Sequence, residues 1–249
     1  MESGFMKRIE ILGCPMDSAT MDETVSAIST RIVTKQFTQH VAVNVAKLVH
    51  MQSDKELAQS VHSCDLISVD GMGVVWAARM LGHAVPERVT GVDLFDRLLA
   101  EAERLGLPVY LLGATEEVVA RVAAICERRY SGLRIAGYHH GYFGEDQQPV
   151  VDRIRESGAR MLFVAITSPA KENFINRWKG TLGVDFVMGV GGTFDVVAGK
   201  VSRAPRWMQR VGLEWFFRVL QEPRRMWRRY LVTNSRFALM LGKALIVER

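Results

Sequence analysis

Cysteine is scarce in this 249-residue chain, which has only Cys14, Cys64 and Cys126. Three cysteines so widely spaced form neither a disulfide framework nor a C-x-x-C zinc site, so each is expected as a small buried hydrophobe in a reducing compartment. The opening MESGFMKRIE lacks the apolar stretch of a signal peptide. Long apolar runs are also missing. The most apolar late stretch, residues 231–247, is cut by Arg236 and Lys243 and is too short to cross about 30 Å of hydrocarbon comfortably. Neither G-x-G-x-x-G after the first strand, nor G-x-x-x-x-G-K-[ST], nor G-x-S-x-G occurs, which argues against nicotinamide, P-loop and serine-hydrolase chemistry. His139 and His140 are adjacent, which places them on opposite sides of a strand. No H-x-x-x-H or D-x-D accompanies them, so no metal site is expected.

What remains has the composition of an ordinary globular protein, with 48% hydrophobic and 24% charged residues and a mean hydropathy of +0.05. A chain of this length can bury roughly 70–75% of its unfolded surface without a covalent or metal staple. Its net charge of +5 is unevenly spread. Residues 200–249 hold twelve Lys or Arg against three Glu, a net +9, so the first 199 residues carry −4. A mildly acidic body with a basic tail fits a protein whose last fifth meets phosphates, whether of nucleic acid, an anionic membrane or a diphosphate ligand.

Six apolar runs read as buried strands: 40–45, 66–70, 108–114, 133–138, 161–167 and 184–190. Helical patterns separate them at 46–63, 91–105, 115–130, 148–156 and 169–178, with Thr115 as an N-cap followed by Glu116 and Glu117. This alternation predicts an α/β fold, Rossmann-like, with a mainly parallel sheet and helices on both faces across residues 1–200. A basic helical C-terminal appendage is expected over 201–249, where Leu213, Phe216, Phe217 and Leu220 recur at helical spacing. Pro223 should end one helix or open the next. Arginines beside Trp207, Trp215, Trp227 and Tyr230 give this appendage the composition of an interfacial membrane element.

Ligands of such sheets bind where strands end and loops begin. There the sequence places Asn44, Asp70 with Gly71 and Gly73, Gly113 before a helix, and Gly191, Gly192 and Asp195. One carboxylate at a strand end with a surplus of arginines suits transfer of a sugar from a nucleotide diphosphate. The carboxylate takes the acceptor hydroxyl's proton, and cations meet the leaving diphosphate. Each residue also has a plainer use: Asp70 as a helix cap, Arg88 in a surface pair with Glu87 or Asp93, and Glu172 as a first-turn carboxylate.

Several segments together resemble the WecG/TagA/CpsF family of bacterial glycosyltransferases. They are VNVAKLV around Asn44, LISVDGMGVVWAARMLG around Asp70, PERVTGVDLFDRLL around Arg88, YLLGAT, GYF at 141–143, SPAKENFI, and GVGGTFDVVAGKVSRAPRWMQRVGLEWFFRVLQEP. The resemblance implies an inverting, metal-independent enzyme without a cofactor. It would move a sugar from a UDP-sugar donor to an undecaprenyl-diphosphate-linked acceptor during surface polysaccharide synthesis. It makes Asp70 the general base and Asn44 and Arg88 its active-site neighbours. Gly71, Gly113, Lys171, Glu172, Gly191, Gly192 and Asp195 would line the substrate pocket, and Arg218, Arg225 and Arg228 would meet phosphate. It further implies that the appendage docks on the inner face of the cytoplasmic membrane and closes over the site, and it admits a homo-oligomer. Two positions depart from the pattern: Ala42 stands where relatives commonly have Thr, and Lys171 where they have Gln. A nucleic-acid-binding protein using the basic tail is the alternative, although no helix-turn-helix, zinc-finger or RNA-binding signature supports it.

Overall fold

The computed structural model describes residues 6–247. Its centre is an eight-stranded sheet: β1 (Lys7–Ile11), β2 (Cys14–Ser18), β3 (Thr38–Val43), β4 (Leu66–Val69), β5 (Val109–Gly113), β6 (Ile135–His139), β7 (Met161–Ala165) and β8 (Phe186–Gly189). The spatial order is β1-β2-β4-β3-β8-β7-β5-β6. All neighbours pair in parallel except the β1–β2 hairpin at one edge.

Helices α1 (Met21–Val33), α5 (Gly91–Leu105), α6 (Glu116–Arg129) and α9 (Thr193–Val197) share one core cluster with alternate strand residues such as Leu111, Phe163 and Phe186. The opposite sheet face contributes Val43 and Val69 to a cluster with α2 (Val45–Met51), α3 (Lys55–His62) and α4 (Met72–Met80). Leu112, Leu162 and Val164 pack with α7 (Gln148–Glu156) and α8 (Ala170–Trp178) on that face. Successive strand residues thus serve opposite faces, which is why the strands read as unbroken apolar runs.

The α/β architecture and all six expected strands are present, with ends shifted by at most two residues. The stretch expected as one helix over 46–63 is two, because Asp54 caps α3 by accepting the Leu57 N–H at 2.9 Å. The hairpin and α1, which begins with a Thr20–Glu23 capping box, add to the expected elements. Thr115 does cap α6, accepting the Val118 N–H.

Beyond the sheet come α10 (Arg206–Arg210), α11 (Glu214–Gln221) and the 25-residue α12 (Pro223–Val247), so Pro223 opens the last helix. Gly212 has φ +75, and a Cβ there would stand 2.8 Å from Met72 Cβ, so the chain passes close against α4. Farther along, Phe237 of α12 is buried in the cluster that contains Leu48 and Val49 of α2. Among the described residues, no helix is long and apolar enough to cross a membrane.

Candidate functional site

Four adjacent strands, β4, β3, β8 and β7, end at the same edge of the sheet and deliver most of the candidate residues there. Asn44 follows β3 and caps α2, its Oδ1 accepting the Lys47 N–H at 3.0 Å. Asp70 follows β4, and its own N–H donates to Val43 O at 2.9 Å. The cap position of α4 belongs to Gly71, at φ +100, and no side chain caps that helix. Asp70 therefore does not have the capping role that its position allowed.

Burial pushes the Asp70 carboxyl above its ordinary pKa, and Glu214 adds to this, while Arg88, Arg218 and Lys47 oppose it. Arg88 pairs with neither Glu87 nor Asp93. Its Nη1 donates to Glu214 Oε2 at 3.1 Å, joining the body to α11 across 126 positions of sequence. Arg203 makes a two-pronged pair with Asp93, both contacts at 2.6 Å, and also feels Glu214 and Asp70. Asp93 in turn accepts from Thr90 Oγ1 at 2.6 Å.

Behind Asp70 lies a buried charge cluster. Lys47 Nζ stands 2.7 Å from Glu172 Oε1 and donates to Ala42 O at 2.9 Å, and Lys171 Nζ is 3.3 Å from the same Glu172 oxygen. Lys47, Lys171 and Glu172 are 8%, 6% and 3% exposed. Both contacts to Glu172 are ion pairs. Burial would raise the Glu172 pKa, but the two ammonium charges prevail and bring it down to about 2. Burial, with the Lys47 charge, lowers Lys171 to about 8, although Glu172 and Asp70 favour its charged form. Gly189 makes room for Lys171: a Cβ there would lie 2.6 Å from its Cδ and Cε.

Gly191, at φ +53, and Gly192 carry the chain from β8 into α9. Gly192 and Asp195 line a cleft of about 390 Å³, counted with its open side, and Arg218, Gln221 and Met226 close it from the appendage. The structure therefore gathers Asn44, Asp70, Gly71, Arg88, Lys171, Glu172, Gly191, Gly192, Asp195 and Arg218 along one edge. Gly113 lies farther along that edge, after β5, and its φ of +129 and a Cβ distance of 2.5 Å to the Ala165 carbonyl show a close backbone approach. Arg228 is exposed and stacks over Trp227 at 5.3 Å, outside the Asp70 group. The Arg225 side chain lies outside the described residues. Lys47, Arg203 and Glu214 also belong to the group, although the sequence marks them only as members of the VNVAKLV and GVGGTFDVVAGKVSRAPRWMQRVGLEWFFRVLQEP segments. Tyr230, expected as an interfacial aromatic, lies within electrostatic reach of Arg218, Glu214 and Asp70.

A carboxylate at the carboxyl ends of parallel strands, with cations from both body and appendage around it, makes this an α/β protein with a charged cleft where such sheets bind ligands. Comparison with known proteins specifies the class further. Residues 9–249 match the glycosyl transferase WecG/TagA/CpsF family, and the chain belongs to it. It is 40% identical over 169 residues to the N-acetylglucosaminyldiphosphoundecaprenol N-acetyl-β-D-mannosaminyltransferase of Bacillus spizizenii, covering 68% of this chain and 65% of that protein. It is 35% identical over 190 residues to the Bacillus subtilis protein of the same name, covering 76% of this chain and 73% of the relative. The first match thus spans just under two thirds of its relative's length.

Proposed function

We propose that this protein transfers N-acetylmannosamine, or a close relative such as its uronic acid or glucose, from a UDP-sugar to a sugar linked to undecaprenyl diphosphate. The names of its relatives support the acceptor and the sugar class. The observation that carries the chemistry is the meeting of Asp70 with Arg88 and Arg218 at the strand ends. Asp70 accepts the proton of the acceptor hydroxyl as that oxygen attacks the anomeric carbon. The bond from that carbon to the UDP oxygen breaks on the opposite face, so the configuration inverts. UDP leaves with the bonding pair, and its charge is met by Arg88 and Arg218, which lie at the site, and by Arg225 and Arg228 on substrate binding. Burial raises the proton affinity of Asp70, which suits a base.

Arginines supply the positive charge in this reading. Among the described residues, no group of three or more His, Cys, Asp or Glu side chains is placed to hold a metal ion. The exposed Trp207, Trp215, Phe216, Trp227 and Leu231, interspersed with arginines, support docking of residues 201–249 on an anionic membrane surface.

The deciding assay offers UDP-sugars and a synthetic polyprenyl-diphosphate acceptor to the purified protein. Asp70→Asn is expected to lower transfer by about 10²-fold or more, and near-normal transfer would remove Asp70 as the base. Activity lost in EDTA and restored by a divalent cation would overturn the metal-free mechanism. Binding to anionic liposomes, rather than salt-sensitive retention of DNA or RNA, separates membrane docking from the nucleic-acid alternative.

A further inference from the structure

We propose that Glu214 is a positioning residue: its ion pair with Arg88 is the latch that seats α11 over Asp70 and thereby brings Arg218 to the cleft. The positioning role rests on the transferase reading above, whereas the latch itself does not.

Glu214 opens α11, where a carboxylate is favoured by the helix dipole and where the preceding Leu213 provides no side-chain cap. A first-turn carboxylate with only that purpose would face solvent. Glu214 instead points at the body, with its side chain 22% exposed and that of Arg88 14% exposed, at 3.1 Å. Such a partly desolvated pair is worth more than a surface pair, and removing one partner leaves the other charge sheltered and uncompensated. Arg218 lies four residues farther along, on the same helix face. It lines the cleft with Gly192 and Asp195, and its charge reaches Asp70 and Tyr230. The orientation of α11 that satisfies Arg88 is therefore the one that presents Arg218.

Glu214 also faces Asp70, whose proton affinity it increases. Arg88 lies electrostatically between two carboxylates, one from each part of the chain. Arg203 adds a second tie, gripping Asp93 of α5 while its Nε is buried without a hydrogen-bond partner among the described residues.

Amide hydrogen exchange across residues 214–221 of the full chain tests the latch without any substrate. Glu214→Gln and Arg88→Gln should each speed exchange there by about fivefold, and the double variant by no more than either single change, because both remove the same interaction. Unchanged exchange in the single variants, or a double effect equal to the product of the two, would overturn the latch. In the transfer assay, Glu214→Gln should lower kcat about tenfold with the donor KM within about twofold, and Glu214→Asp should recover part of the loss. A raised KM at unchanged kcat would overturn the positioning role. If the wild-type protein transfers no sugar while the exchange cycle behaves as expected, the functional reading fails and the latch stands.

Discussion

Lys47 and Lys171 share one carboxylate oxygen, Glu172 Oε1, at 2.7 and 3.3 Å in a nearly dry setting. The shorter contact is the structural pair, since Lys47 also ties back to Ala42 O. Lys47→Met should therefore destabilise the protein by roughly 3 kcal/mol, leaving Glu172 with its weaker partner. Urea unfolding at pH 7 measures this.

Lys171 is the surplus cation of that cluster. Its folded pKa of about 8 lies below the ordinary 10.5, so the folded state gives up the proton first. The resulting penalty is complete below about pH 8 and is relieved as pH rises from 8 towards 10.5. Lys171→Gln should be more stable than wild type at pH 7 by on the order of 1–3 kcal/mol. The difference should narrow across that interval in thermal unfolding measured at several pH values.

His40 is buried in the middle of β3, with Nε2 at 2.8 Å from Ser68 Oγ. Burial, aided by the Lys47 charge, pushes its pKa from 6.5 down to about 3. Because that pKa is depressed, the stabilisation from neutral His40 is complete above pH 6.5 and is lost as pH falls towards 3, with a slope of up to about 1.4 kcal/mol per pH unit. His40→Gln should flatten the fall in stability between pH 6.5 and 5, as chemical denaturation at each pH would show.

Gly113 and Gly189 should respond differently to alanine. At Gly113 the methyl group would meet the Ala165 backbone at 2.5 Å with φ at +129, and neither can yield. A loss exceeding about 2 kcal/mol is expected. At Gly189 the obstacle is the flexible Lys171 side chain, so the cost in stability should be smaller and transfer should suffer more. Melting temperature and turnover, measured together, separate the two.

The parts of the fold legible in the sequence were those written in local pattern. Buried strands such as MLFVA at β7 are legible because every residue of the run is apolar. The β1–β2 hairpin was less visible because its turn uses Leu12 and Gly13, both with positive φ, and leucine is an unusual residue for that conformation. Only the alternation of Ile9 and Ile11 with charged residues marked it. Asn44, Asp70 and Gly191 could be found because strand ends are where α/β proteins bind ligands. Arg88–Glu214 and Arg203–Asp93 could not, since 126 and 110 positions separate the partners and charge alone does not choose among so many acidic residues. The plainer alternative for Arg88, a surface pair with Glu87 or Asp93, is absent for that reason.

The last helix has a mechanical consequence. At 25 residues, α12 is a rod of about 37 Å. Near its start it exposes Trp227 and Leu231, and beyond its middle Phe237 is clamped into the core beside Leu48 of α2. Whatever grips the exposed end pulls on α2 through a stiff lever without an intervening joint, and α2 is capped by Asn44. Load applied at the periphery is thus delivered one residue from the end of β3, beside the carboxylate of Asp70.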